Sequence, residues 1–313
     1  MAKSTLREIR HGFADGLLEA ARADSNVYVL SADLSSSLGF DKIAAELPNQ
    51  YVEVGVAEQN MICVASGLAH MGKTAFAGSY SMFSPCRNWE QIRTTVCLNR
   101  QPVKIISSHS GFSDASDGAT HQALEDIALA RVLPELVVLS PADYAEARAM
   151  APALAKDRRP TYVRMQRGKF PDIFPDGIEF KIGPARHIRD GKDVVIFTTG
   201  SMASTVLDAA EILEKSKISA AVVHFPTIKP LDEKTVREMA SKYGRIITVE
   251  EHQIAGGFGS AIAETIAEKQ LARLCRIGVR DSFGESGSYE ELLKKHGLDT
   301  KSIVAQIKKF MLE

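Results

Sequence analysis

Three segments of this 313-residue chain combine residue types that carry chemistry more often than packing. Asp117-Gly118-Ala119-Thr120-His121-Gln122 sets a carboxylate and an imidazole on either side of a glycine, and His109 stands upstream at the end of an apolar run. A lone histidine at a strand end usually serves structure. Two histidines bracketing a Gly-containing loop that also holds Asp117 point beyond a structural part, toward a site. They are not a zinc pair, because their separation matches no zinc-ligand spacing. Glu58, in Val54-Gly55-Val56-Ala57-Glu58-Gln59-Asn60, follows an apolar strand and a glycine and opens a helix with an apolar face. A first-turn glutamate is favourable at a helix N-terminus on its own account. In apolar surroundings its carboxyl is also driven toward the protonated form, which donates a hydrogen bond. Tyr80 and Phe83, in Gly78-Ser79-Tyr80-Ser81-Met82-Phe83, are spaced either as the edge of a core or as two rings that stack on a heterocycle.

These residues need a scaffold, and the chain alternates apolar runs with helical patterns, which predicts an α/β fold with mostly parallel sheets. Residues 5–23 have helical spacing, Val27–Leu30 is a short buried strand, and 57–71 is a helix rich in Ala, Met, Ile and Val. Thr74–Ala77 is a strand, 86–99 a helix carrying Trp89, and Val103–Ser107 a strand feeding the loop 109–122. Leu136–Leu139 and Thr161–Val163 complete the first sheet. A Pro-, Gly- and charge-rich stretch follows, from Lys169 to Lys192. A second cycle of strands runs through Val194–Phe197, Ala220–Val223, Arg245–Val249 and Arg276–Val279. The expected organisation is two doubly wound, mostly parallel-sheet domains over 1–175 and 191–313, with a linker over 176–190. His109 and His121 then lie beyond the C-terminal end of a strand, where open α/β sheets place their sites.

Composition narrows the function classes. Lys+Arg total 38 against 39 Asp+Glu, so no net basic field recommends nucleic acid or an anionic membrane. With 45% hydrophobic and 25% charged residues the chain is an ordinary globular protein. No signal-peptide core and no apolar run of membrane-spanning length is present. Cys63, Cys86, Cys97 and Cys275 are scattered without CxxC spacing and read as buried thiols of a reducing cytoplasm. Gly256-Gly257-Phe258-Gly259 follows a strand, yet it lacks GxGxxG spacing and a later acidic residue, which argues against a dinucleotide site.

Taken together, the Glu58 segment, the Asp117–Gln122 loop and Lys229-Pro230-Leu231-Asp232 occur in the order found in the transketolase family, which this chain resembles from about residue 5 to 310. The resemblance implies a thiamine diphosphate-binding pyrimidine domain followed by a transketolase C-terminal domain. Glu58 would bind the cofactor's pyrimidine nitrogen, helping the thiazolium carbon to become a nucleophile. Tyr80 and Phe83 would wall the pyrimidine, with Cys86 or Trp89 near a third wall. His121 and His109 would contact substrate oxygens, and Asp117 the hydroxyl beside the reacting carbon. Arg167, Ser37 and Arg10 match positions that grip a sugar phosphate, for which a guanidinium fork is well shaped; Arg164 competes for the Arg167 part. The C-terminal domain would be mainly structural.

The diphosphate and Mg²⁺ site of the family, usually Gly-Asp-Gly with a later Asn, has no counterpart here. The resemblance therefore implies the C-terminal subunit of a split transketolase, with a partner N-terminal subunit holding Mg²⁺ and an α2β2 assembly. The expected reaction moves a two-carbon ketol unit from a ketose, phosphorylated in the family, to an aldose. Alternatives are the β subunit of a 2-oxo-acid dehydrogenase, a deoxyxylulose phosphate synthase and a non-catalytic subunit of the same fold. Where many relatives have Val-Gly-Glu before the Asp, this chain has Ser113-Asp114-Ala115-Ser116, a polarity that alters the expected substrate.

Overall fold

A computed structural model describes residues 5–313; Met1–Ser4, which belong to the first expected domain, lie outside the described residues. The strands are β1 (Leu6–Glu8), β2 (Val27–Ser31), β3 (Tyr51–Glu53), β4 (Thr74–Tyr80), β5 (Val103–Ser108), β6 (Val137–Leu139), β7 (Thr161–Arg164), β8 (Lys169–Pro171), β9 (Arg186–Arg189), β10 (Val194–Thr198), β11 (Ala220–His224), β12 (Thr227–Lys229), β13 (Arg245–Gln253) and β14 (Arg273–Val279). The helices are α1 (Ile9–Ala23), α2 (Ser35–Leu38), α3 (Asp41–Glu46), α4 (Glu58–His70), α5 (Trp89–Gln91), α6 (Asp126–Arg131), α7 (Tyr144–Lys156), α8 (Met202–Lys215), α9 (Glu233–Tyr243), α10 (Phe258–Ala267), α11 (Tyr289–Lys295) and α12 (Thr300–Leu312).

A seven-stranded sheet runs β12-β6-β7-β5-β4-β2-β3, parallel except for β12. A five-stranded sheet runs β14-β13-β10-β11-β9, parallel except for β9. The expected α/β class with parallel-dominated sheets is what the chain adopts. On one face of the larger sheet, α1 and α7 bury Phe13, Leu17, Met150 and Leu154 against Val29, Phe76, Ile106 and Val163. The two helices cross closely because α1 carries small residues at the contact. A Cβ on Gly16 would lie 2.1 Å from the Arg148 carbonyl oxygen. On the other face, Met61, Ile62, Ile92 and Ile127 join a core that continues into Phe197 of β10, Phe225 just after β11 and Phe258 at the start of α10. One apolar core therefore crosses between the two sheets and fixes them against each other.

Four local expectations change. The N-terminal helix begins at Ile9, not residue 5, because Leu6–Glu8 pairs antiparallel with Lys169–Pro171, which satisfies backbone groups that helical spacing alone cannot place. The helix expected over 86–99 begins only at Trp89, where the single turn α5 runs on into a wider π-type stretch, Ile92–Cys97, and irregular π-type turns occupy Met82–Arg87 ahead of it. Ser84 is extended there and Pro85 has no N–H to donate. β12, from the second half of the chain, returns to the first sheet against β6. Cys63 is exposed and Cys86 and Cys275 are half-buried, so of the four cysteines only Cys97 is the buried thiol expected. No helix among the described residues is long and apolar enough to cross a membrane.

Candidate active site

Parallel β2, β4, β5 and β7 end together, with Ser31 beside Gly78, Tyr80 beside Ser108 and Ser107 beside Arg164. Each strand then delivers a candidate residue at this carboxyl edge. Ser37 lies in α2 after β2, Tyr80 closes β4 with Phe83 just beyond, His109 follows β5 directly, and Arg167 follows β7. Glu58 begins α4 after β3. All the candidates thus derive from one side of one sheet, although they span residues 10 to 167.

The rings form a continuous stack. Phe83 and Tyr80 have centroids 5.9 Å apart and near-parallel planes, Tyr80 and His109 lie 3.8 Å apart, and His121 meets Phe83 edge-on at 5.4 Å. The Tyr80 hydroxyl donates to Ser37 Oγ at 3.0 Å, which ties the stack to α2. Trp89 turns toward α6, its Nε1–H donating to the Leu129 carbonyl at 2.8 Å. Glu58 is 2% exposed, yet its surroundings are not apolar on every side as the sequence suggested. Arg87 Nη1 donates to Glu58 Oε2 at 3.0 Å, and the same guanidinium lies 4.6 Å over the Phe83 ring. Asn88 Nδ2 donates to the Glu58 carbonyl and to Ser84 Oγ, locking the start of α4 to this irregular segment. Sequence reasoning missed Arg87, because a helical reading of 86–99 gives no reason to turn it toward Glu58.

His109 is 1% exposed and takes a left-handed backbone (φ 58°), an unfavourable choice for a non-glycine residue that the surrounding loop must hold. Its Nδ1 pairs with Ser108 Oγ at 2.7 Å. Burial, then the Arg10 and Arg167 guanidiniums, push its pKa down to about 3, so the imidazole is neutral at neutral pH. Arg10 donates to the Ser37 carbonyl and pairs with Glu8 at 2.6 Å. Arg167, half exposed, pairs with Asp114 Oδ1 at 3.1 Å, and its backbone N–H donates to Ser113 Oγ at 3.0 Å. The competing Arg164 is ruled out as a ligand by its position: it is 1% exposed and spent on Asp126 at 2.8 Å and the Glu251 carbonyl at 2.7 Å. Asp117 is exposed at the loop surface, and half-buried His121 has Thr120 Oγ1 3.0 Å from its Nδ1.

The second sheet supplies what holds this loop. Phe112 N–H donates to Glu251 Oε1 at 2.6 Å, Tyr289 donates to Glu251 Oε2 at 2.7 Å, and Gln122 Nε2 donates to the Glu285 carbonyl at 2.9 Å. The backbone at Gly111 (φ 64°) passes so close that a Cβ there would meet Glu251 Oε1 at 2.2 Å. Burial pushes the Glu251 carboxyl up to about 7. Glu251 was not among the sequence candidates, since its partners, Phe112, Arg164 and Tyr289, are all distant in sequence.

A buried carboxylate beside stacked rings fits a flat heterocycle with hydrogen-bonding nitrogens, such as an aminopyrimidine. No cluster of three His, Cys, Asp or Glu suited to a metal occurs among the described residues. A cavity of about 620 Å³ lined by Glu125, Ala128, Gln253, Arg280 and Phe283 contains none of the site residues.

Residues 7–172 match the transketolase pyrimidine-binding domain, and residues 183–303 match the transketolase C-terminal domain. The chain is 42% identical to a putative transketolase C-terminal section of Methanocaldococcus jannaschii, covering 96% of this chain and 95% of that one. It is 38% identical to a 6-deoxy-6-sulfo-D-fructose transketolase subunit of a Clostridium species, over 95% and 92% of the two chains. A split-gene transketolase solved as an inactive β4 tetramer superposes with a TM-score of 0.91 at 37% identity, over 97% and 98% of the chains. This chain belongs to the transketolase family, of which it carries the pyrimidine-binding and C-terminal domains.

Proposed function

We propose that this chain is the C-terminal subunit of a thiamine diphosphate-dependent transketolase that moves a two-carbon ketol unit from a ketose to an aldose. The observation that carries the reading is the convergence of Glu58, the Phe83–Tyr80–His109 stack, His121 and the two arginines on one strand edge. Thiamine diphosphate, when bound, supplies the carbon nucleophile that no amino-acid side chain offers. Glu58 would hold the pyrimidine nitrogen, with Phe83 and Tyr80 against the ring face. His121, half buried beside Phe83, is placed to exchange a proton with the substrate oxygen. His109 is neutral, which suits a hydrogen-bonding part and leaves proton transfer to His121. Asp117 would select the configuration of the adjacent hydroxyl. Arg167, Arg10 and Ser37 would hold an anionic tail at the far end.

A separate N-terminal subunit would supply the diphosphate and Mg²⁺ ligands, with two copies of each chain in the assembly. Two relatives support this: one is named as a C-terminal section, and the other, a split-gene transketolase, is inactive as a β4 tetramer. The test is to co-purify this chain with a candidate N-terminal subunit and to assay ketol transfer from xylulose 5-phosphate with thiamine diphosphate and Mg²⁺. Activity that requires both chains supports the reading. Activity of this chain alone, or none from a stable cofactor-bound complex offered several ketoses, overturns it.

A further inference from the structure

The anion-binding end of the site is already charge-balanced within this chain. Arg167 pairs with Asp114 at 3.1 Å and Arg10 with Glu8 at 2.6 Å, so two guanidiniums meet two carboxylates. Asp114 is the unusual member. It is fully buried and its Oδ2 has no hydrogen-bond partner; burial first, and then the Asp117 charge, raise its pKa, against the lowering pull of Arg167 and His121. A buried carboxylate bonded through only one oxygen is costly. The fold does not need it to join the two segments, because the Ser113 hydroxyl already holds the Arg167 backbone N–H.

We propose that Asp114 is a specificity-determining residue that favours a substrate tail with a single negative charge, of the sulfonate or carboxylate kind, over a phosphate dianion. A phosphate monoester carries about −1.5 to −2 at neutral pH. Its second charge would enter a site whose two guanidiniums are each already paired with a carboxylate, with Asp114 fixed behind Arg167. Like-charge opposition of this kind in a partly buried site weakens binding on the order of tenfold or more. The inference rests on Arg167 holding the substrate tail, as proposed above.

The test uses the complex assembled with its N-terminal subunit. Asp114→Asn keeps an oxygen to accept from Arg167 while removing the charge, and Asp114→Ser checks the result with a different shape. Fructose 6-phosphate and 6-deoxy-6-sulfofructose, matched ketoses with a dianionic and a monoanionic tail, are titrated calorimetrically, and kcat/KM is measured for both. The expected result is that the ratio of phosphate-tailed to sulfonate-tailed donor rises about tenfold in both variants. A ratio unchanged or lowered in both variants, or a wild-type complex that already prefers the phosphate-tailed donor, overturns the proposal. A wild-type complex that transfers no ketol unit from either donor overturns the proposed activity instead, and the binding ratios still decide the part of Asp114.

Discussion

Replacing Glu58 by Gln separates a catalytic carboxyl from a structural one. The carboxylate is buried, but its one side-chain partner, Arg87, is half exposed, so the pair is worth little more than a surface ion pair. Its loss should cost roughly 1 kcal/mol or less. In a chain of this size that corresponds to a fall in thermal midpoint of only about 2–4 °C. Gln preserves the volume and can still accept from Arg87, which keeps the loss at the low end. The effect on turnover is of another order. A positioned carboxyl that manages a proton on the cofactor contributes about 10²–10⁴-fold, equivalent to roughly 3–5 kcal/mol of barrier. The assay is coupled ketol transfer by the assembled complex at saturating thiamine diphosphate, read beside thermal denaturation of the same preparation. The expected outcome is at least a hundredfold loss of kcat with a near-native midpoint. A drop in kcat below tenfold, or a collapse in stability that accounts for the lost activity, would show that Glu58 is a helix-start residue and nothing more.

Arg87→Ala strips the partner from a buried carboxylate and should lower stability by about 1–2 kcal/mol, seen as a reduced urea midpoint; an unmoved midpoint would mean that the Arg87–Glu58 pair is not formed in solution. Arg167→Ala should raise KM for an anionic-tailed donor by roughly tenfold or more and leave an uncharged ketose little affected, and equal effects on both donors refute its tail-binding part. Glu251 offers a pH prediction. Its carboxyl titrates at about 7 when folded, so the folded chain keeps a proton that the unfolded chain has lost. Stability from this group is complete below the unfolded pKa of about 4.3 and is lost as pH rises through the folded value. Glu251→Gln should therefore flatten the decline of thermal midpoint between about pH 4 and pH 7. Glu250, raised in the same way, continues to contribute a slope in both proteins, so a variant whose decline matches the native chain refutes the assignment.

What the sequence determined by itself was local. Apolar runs marked β2, β4, β5 and most of the remaining core strands, since burial on both faces of a parallel sheet leaves a continuous apolar signature. The Asp117–Gln122 loop and the Tyr80–Phe83 spacing were legible because their residues lie within a few positions of one another. The tertiary structure decided whatever depends on partners far along the chain. Periodicity cannot say that Leu6–Glu8 pairs with a strand more than 160 residues later, or that β12 returns to the first sheet. Nor could it choose between Arg164 and Arg167, three residues apart. Alternation along β7 and a turn beyond it bury the first against Asp126 and leave the second at the site mouth. Glu58 shows both halves of this lesson. Its position at a helix start was readable, whereas the guanidinium facing it arrives on an irregular segment that no regular period describes. Side-chain chemistry is written residue by residue, but the electrostatic setting that tunes it comes from the packing of distant segments, and that exists only in the folded chain.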